Sequence, residues 1–175
     1  INYFVHCAAG NFPRTPIRAT SLETVAREFR IGLFSAVEFL IRADEHLADD
    51  ARLLLLSSNA AVRGAKRRAF HYSSMKAALN GFVVGAAAEY ARRGIAINAI
   101  APSQTLTERV STHGRISRDE IIEQMKTYSP FGRAAETNEV AAFALDLLLT
   151  ETTYFTGQVI AFDGGTALNW EADPA

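Results

Sequence analysis

Two short apolar runs with a helical pattern between them constrain this chain more than any other feature. Ala51-Arg52-Leu53-Leu54-Leu55-Leu56-Ser57-Ser58 and Gly94-Ile95-Ala96-Ile97-Asn98-Ala99-Ile100-Ala101-Pro102 both lack the apolar/polar alternation of a strand with one wet face. Each has the length and composition of a strand buried on both sides, as in a parallel sheet. A Gly starts the second run and a Pro closes it. Parallel neighbours need a long crossover, and the segment from about Tyr72 to Arg92 supplies a helix for it. Ile1-Asn2-Tyr3-Phe4-Val5-His6-Cys7 reads as another buried strand of the same kind. With 175 residues, 49% of them hydrophobic, the chain is large enough for one domain with a full core. No repeat, low-complexity tract or linker divides residues 1–175.

The crossover helix opens with Tyr72-Ser73-Ser74-Met75-Lys76. A four-residue gap on a helix puts Tyr72 and Lys76 on one face, a turn apart. A cation beside a phenol favours the phenolate, and that brings the Tyr toward proton exchange near neutral pH, the requirement for general acid/base work. By itself the pattern is weak, because two common residues at helical spacing also describe an exposed aromatic beside a solvated Lys. Position strengthens it. In a βαβ unit ligands bind outside the carboxyl ends of the strands, where Ser58 and the segment after Pro102 both lie.

Elsewhere the punctuation marks further elements. A loop with Pro13 and Pro16 precedes Thr20-Ser21-Leu22-Glu23, where Thr20 and Glu23 have capping-box spacing, and a helix is expected to about Leu47. Leu22, Val25, Phe29, Leu33, Val37 and Leu40 form its expected buried stripe, which Gly32 interrupts. Ala77, Ala78, Gly81, Gly85 and Ala88 give the Tyr72 helix a small-residue face, suited either to packing within the chain or to a subunit contact. A polar stretch containing Gly114 leads to Ser117-x-x-Glu120, which caps a short helix ending near Thr127. That stretch suits a movable lid or an ordinary surface connection. Thr137–Leu149 reads as an amphipathic helix and Gln158–Phe162 as the last strand, closed by Asp163-Gly164-Gly165.

A net charge of −1 leaves no electrostatic footprint for nucleic acid or an anionic membrane, so neither is an expected partner. No apolar run approaches the length of about eighteen residues that a spanning helix needs. One cysteine, Cys7, cannot pair within the chain, which fits a reducing compartment and a cytoplasmic location. His6, His46, His71 and His113 have no metal-ligand spacing, and no metal is expected. Arg63, Lys66, Arg67 and Arg68 form a basic cluster, either a solvated loop or a dock for an anionic substrate handle such as a coenzyme A phosphate.

Taken in order, Ser57-Ser58, Tyr72-x-x-x-Lys76, Ile97-Asn98-Ala99-Ile100-Ala101-Pro102, Pro130-Phe131-Gly132-Arg133, Thr156-Gly157-Gln158-Val159-Ile160 and Asp163-Gly164-Gly165 resemble the short-chain dehydrogenase/reductase family. Cys7-Ala8-Ala9-Gly10 resembles its Asn-Asn-Ala-Gly segment, and Cys7 to Phe12 is also similar to dienoyl-CoA reductases of the family, which typically lack the Tyr present here as Tyr72. The resemblance covers essentially the whole chain. It implies an α/β, Rossmann-like doubly wound parallel sheet that is incomplete, lacking the N-terminal βαβ cofactor-binding part. Residues 1–175 would form the C-terminal two-thirds of the domain, with the Gly-rich turn upstream of Ile1. It further implies hydride transfer between NAD or NADP and a small-molecule carbonyl or alcohol, with Tyr72 as general acid/base. Lys76 would lower the Tyr72 pKa and bind the nicotinamide ribose, and Ser58 would hold the substrate oxygen. Ala8, Gly10, Tyr72, Lys76, Pro102, Thr105 and Thr107 would surround the cofactor. A homodimer or homotetramer through the 21–47 and 72–92 helices is implied as well.

Several positions depart from the family pattern. The family's Ser usually stands thirteen positions before the Tyr, which here is Asn59; counting from the strand end selects Ser58, with one extra residue in the following loop. Gly32 replaces an Asn in the preceding long helix that supports a water chain from the Lys. Ala8 replaces a cofactor-steadying Asn, and Ser103 replaces a Gly after Pro102. These departures motivate an alternative, a catalytically weak or inactive member serving in binding or assembly.

Overall fold

The computed structural model describes residues 1–10, 15–63, 69–108 and 117–168. Strands β1 (Tyr3–His6), β2 (Arg52–Leu56), β3 (Ala96–Pro102) and β6 (Val159–Phe162) form one sheet in the order β1-β2-β3-β6, every pair parallel. Between β3 and β6, two-residue strands β4 (Thr105–Leu106) and β5 (Ala135–Glu136) pair in parallel apart from it. Helices α1 (Leu22–Phe29), α2 (Ser35–Ala43), α3 (Ala60–Arg63), α4 (Phe70–Tyr90), α5 (Arg118–Tyr128) and α6 (Thr137–Leu149) make up the described α-helical part.

The central strands have no polar face because both sides are covered. Leu53, Leu55, Ile97 and Ala99 point into a cluster with Leu40, Leu79 and Val83 of α2 and α4. Leu54 and Ile100, offset by one residue, meet Leu148 of α6 on the other side, with Phe143 and Phe162 packed against them. This is the doubly wound arrangement that the continuous apolar runs imply, and each buried Leu contributes about 1.5–3 kcal/mol. Asn98, the polar interruption in β3, is 7% exposed. Its amide donates to the Phe155 carbonyl at 2.7 Å and accepts from the Gln158 backbone at 2.9 Å, which anchors the approach to β6. Strand β1 is less buried than expected. Phe4 stacks on Phe39 of α2 with ring centroids 3.5 Å apart, whereas Tyr3 and Val5 are exposed.

The long helix before β2 departs from expectation in three ways. Its N-cap is Ser21, whose Oγ accepts from the Thr24 backbone at 3.1 Å. Thr20 does not cap because its hydroxyl is already engaged with Thr15 Oγ1 at 2.6 Å and the Pro16 carbonyl at 3.0 Å. The helix is also not continuous, since a π-helical turn over Arg30–Phe34 separates α1 from α2. Its fully buried line runs through Glu28, Gly32, Ala36 and Leu40, while Leu22 is exposed. The fours in that line follow from the wide turn, since a π turn holds more than 3.6 residues and delays the return of each side chain to the sheet.

Gly32 is what the wide turn brings against α4. A Cβ placed there would collide with Sδ of Met75 and lie 2.5 Å from its Cε and 3.1 Å from its Cγ. Met75 is fully buried, so its thioether occupies the room a side chain at position 32 would need. Gly32→Ala therefore gains about 1 kcal/mol of helix propensity and loses about 1–3 kcal/mol to overpacking. A net loss near 1 kcal/mol in urea unfolding is expected, with Met75→Ala costing less in that background than alone. A more stable Gly32→Ala protein would refute this account.

Candidate active site

Parallel pairing sends the loops after β1, β2 and β3 off the same edge of the sheet, because His6 pairs with Leu55 and Leu56 with Ile100. Helix α4 begins over that edge. Near its N-terminus Lys76 is 3% exposed, and its Nζ donates to the Leu56 carbonyl, the last of β2, at 2.5 Å. Tyr72, one turn earlier, is half-buried, and Lys76 Nζ lies 6.0 Å from its ring centroid. Burial pulls the Lys76 pKa down to about 8, against the opposing pull of the Cys7 and Glu28 side chains. The positive charge is felt in turn by His6, whose pKa is lowered by burial and by Lys76.

The two serines after β2 have different duties. Ser57 is buried and its Oγ donates to Asn80 Oδ1 at 2.5 Å, joining the strand end to α4 one turn beyond Lys76. Ser58 is half-buried, and its Oγ accepts from the Ala60 backbone at 3.2 Å where α3 begins. Accepting that bond leaves the hydroxyl proton available to another group. Asn59 is engaged elsewhere. Its backbone donates to the Pro102 carbonyl at 3.0 Å, and its Nδ2 donates to Thr166 Oγ1 at 2.8 Å. Thr166 in turn donates to Asp163 Oδ2 at 3.0 Å, so this chain of bonds ties the Ser58 loop to the turn after β6.

Ala8 is exposed and Gly10 half-buried in the segment after β1, and Pro102 ends β3. Thr105 opens β4 with its hydroxyl donating to the Ser103 carbonyl at 3.5 Å, and the Thr107 backbone donates to the Thr105 carbonyl at 3.1 Å. Ala8, Gly10, Ser58, Lys76, Pro102, Thr105 and Thr107 thus share the carboxyl edge with Tyr72. Past the ends of β3 and β6, Ser103, Gln104, Phe131, Arg133 and Asp163 line a cavity of about 310 Å³. Arg133 and Glu139 form its charged wall through two bonds at 2.6 and 2.7 Å, which hold the Glu139 carboxyl down at about 2.

Two buried polar residues near Lys76 were not expected as site residues. Glu28 and His71 are each 2% exposed, and His71 Nδ1 bonds Glu28 Oε2 across the α1–α4 contact. No spacing signal marks them, because the line Glu28-Gly32-Ala36 that faces α4 emerges only with the wide turn over Arg30–Phe34. The side chains of Arg63, Lys66, Arg67 and Arg68, the Gly114 stretch over 109–116, Asn11, Phe12, Pro13 and His113 lie outside what the structure describes. Among the described residues no three His, Cys, Asp or Glu side chains converge, and no helix is long and apolar enough to cross a membrane.

Residues 1–167 match the family described as enoyl-(acyl carrier protein) reductase. Galactitol 2-dehydrogenase (L-tagatose-forming) of Cereibacter sphaeroides is 34% identical over 134 residues, covering 77% of this chain and 52% of that protein. The 2,3-dihydroxy-2,3-dihydro-p-cumate dehydrogenase of Pseudomonas putida is 28% identical over 171 residues, covering 96% of this chain and 64% of that protein. The chain therefore spans about half to two thirds of the length of these curated relatives. Among solved structures, ElxO with NADP bound superposes with a TM-score of 0.82 at 24% identity, covering 95% of this chain and 67% of that one, a likeness of fold. The family match over nearly the whole length, together with the parallel order β1-β2-β3-β6, shows that the chain belongs to the short-chain dehydrogenase/reductase family.

Proposed function

We propose that the protein containing this chain is an NAD(P)-dependent oxidoreductase of a small carbonyl or alcohol, with Tyr72 as its general acid/base. The observation that carries this reading is the Lys76 ammonium, buried against the Leu56 carbonyl on the helical face it shares with Tyr72. In reduction Tyr72 gives its phenolic proton to the carbonyl oxygen, and in oxidation it takes one from the alcohol. The Lys76 charge favours the phenolate that either direction passes through. Ser58, whose hydroxyl proton is uncommitted by its bond from Ala60, holds the substrate oxygen in line with Tyr72.

The same edge suits a nicotinamide cofactor. Ala8 and Gly10 have no side chain beyond Cβ, so the backbone after β1 is open to close approach, and Pro102 ends β3 with Thr105 and Thr107 following it. Those residues with Lys76 would hold the cofactor, which supplies the hydride when bound. Residues 1–175 make one domain under this reading, the C-terminal two-thirds of the family's Rossmann-like unit. The small-residue face of α4 supports a homodimer or homotetramer through the 21–47 and 72–92 helices. Gly81 and Gly85 have nothing within 4 Å of a Cβ position, and Phe34, Ile41 and Val84 are exposed nearby in sequence on the same helices. The second reading, an inactive binding or assembly subunit, draws on Gly32, whose space Met75 fills.

Full-length protein separates the readings. Tyr72→Phe is expected to abolish NAD(P)H oxidation across a carbonyl panel with the fold intact; unchanged turnover refutes the acid/base role. Absence of NADH or NADPH binding by fluorescence favours the inactive subunit. Gly85→Glu is expected to lower the assembly to monomers in light scattering, and an unchanged mass removes the α4 interface.

Lys76→Met tests function against fold. The folded pKa of about 8 lies below the ordinary lysine value of 10.5, so folding disfavours the ammonium by roughly 3 kcal/mol. That cost is fully present below pH 8 and is relieved as pH rises toward 10.5. Removing the cation recovers it, less about 1–2 kcal/mol for the Leu56 carbonyl left without its donor. At pH 7 the variant is therefore expected to lose turnover while gaining about 1 kcal/mol in urea unfolding. A loss of stability would mean that the buried ammonium is a net structural asset.

A further inference from the structure

Ser58 stands just past the end of β2, and among the described residues its hydrogen bonds are all local. Its Oγ accepts from the Ala60 backbone at 3.2 Å, and its carbonyl accepts from the Ala61 backbone at 3.0 Å. Where Ser58 sits relative to Tyr72 is therefore decided by the residues on either side of it. On one side the Ser57 backbone donates to the Ile100 carbonyl at 2.7 Å, and Ser57 Oγ donates to Asn80 Oδ1 on α4. On the other side the Asn59 backbone donates to the Pro102 carbonyl at 3.0 Å, and Asn59 Nδ2 donates to Thr166 Oγ1 at 2.8 Å.

Thr166 is a fixed point. It is 1% exposed, in the turn after β6 where Gly164 and Gly165 take the left-handed φ values of 59° and 80°. Asp163 closes that turn on itself, with Oδ1 accepting from the Gly165 backbone at 3.0 Å and Oδ2 from the Ala167 backbone at 2.8 Å. Ser129, fully buried at the end of α5, donates to the Gly164 carbonyl at 2.7 Å and holds the turn from outside. The bonds from Asn59 run in one consistent direction. An amide nitrogen can only donate, so Thr166 accepts from Asn59 and gives its single proton to Asp163 Oδ2 at 3.0 Å. Moving that buried hydroxyl would leave a donor at Asn59 and an acceptor at Asp163 without their partner, so the link resists displacement.

We propose that Asn59 is a positioning residue for Ser58, held in turn by Thr166 and Asp163, so that the turn after β6 sets where the Ser58 hydroxyl meets the substrate oxygen. None of the three touches substrate. The proposal rests on the Ser58 reading for its catalytic meaning, while the tie between Thr166 and the Ser58 loop is measurable without turnover. A hydroxyl that must reach an oxygen within hydrogen-bond range loses its effect when displaced by about 1 Å, so a bond made by the next residue can govern the rate.

The test uses full-length protein. Thr166→Val keeps the side-chain shape and removes the hydroxyl, Thr166→Ser keeps the hydroxyl, and Asn59→Ala removes the donor. Thr166→Val and Asn59→Ala are each expected to lower kcat about tenfold with the cofactor KM unchanged, and Thr166→Ser is expected to stay near the parent. In a Ser58→Ala background the loss is expected to vanish, because a group that acts through Ser58 has nothing left to act on. A loss of equal size with and without Ser58 overturns the proposal, as does a kcat that stays at the parent value while stability falls.

Amide hydrogen exchange reads the tie independently. In Thr166→Val the amide of position 59 is expected to exchange about fivefold faster, with the amides of Leu53, Leu54 and Leu55 at the parent rate. An unchanged rate at position 59 overturns the proposal even in an active enzyme. Should Thr166→Val not fold, Asn59→Ala, at a half-buried position, carries both measurements. A Ser58→Ala protein at the parent kcat, or a parent with no turnover, sinks the Ser58 reading instead, and faster exchange at position 59 still supports the tie.

Discussion

One hydrogen bond sets the site. The Lys76 ammonium reaches the last carbonyl of β2, so the register of α4 over the sheet is fixed at the place where the chemistry would occur. Rotating α4 by one residue would swing Lys76 about 100° away and bring a different side chain to the strand end. Ser57, bonded to Asn80 one turn further along, holds the same register from a second point. With α4 locked, Tyr72 is carried to the carboxyl edge, and the parallel pairing of β1, β2 and β3 delivers Ala8, Ser58 and Pro102 to it.

Holding a cation there is costly, and the surroundings show how the cost is distributed. Burial pulls the Lys76 pKa down to about 8, and the Cys7 and Glu28 side chains oppose that pull. The wide turn over Arg30–Phe34 belongs to the same economy. It lets Met75 pack against Gly32 and leaves Glu28 as the polar group from α1 that meets α4, through His71.

Much of the fold was legible because its signals are local or periodic. The apolar runs at 51–58 and 94–102 are strands to within two residues, Ser117 and Glu120 form the capping box their spacing implies, and Thr137–Leu149 is a helix to the residue. Cases that failed depended on partners far away or on a change of period. Thr20 has a capping residue's chemistry, but Thr15 and Pro16 occupy its hydroxyl. A stripe read at 3.6 residues per turn misses Glu28 because the π turn shifts the buried line. Strands β4 and β5 are too short to announce themselves, with one rung pairing Thr105 to Ala135 and the next Leu106 to Glu136.

The candidate site was legible in a more uneven way. Tyr72 and Lys76 stand out because helix geometry alone puts them together, and Ser58 because a strand end is a place as well as a residue. Asn59, by contrast, competes with Ser58 on spacing and can be judged only from contacts more than a hundred residues away in sequence, with Thr166 and through it Asp163. Glu28 and His71 are hidden for a similar reason. Each is an ordinary residue on its own helix, and their meaning comes from the α1–α4 contact that buries both. A sequence shows which groups a helix face offers, while the charge those groups carry depends on what the opposite face removes from water, and here that opposite face is built around a glycine.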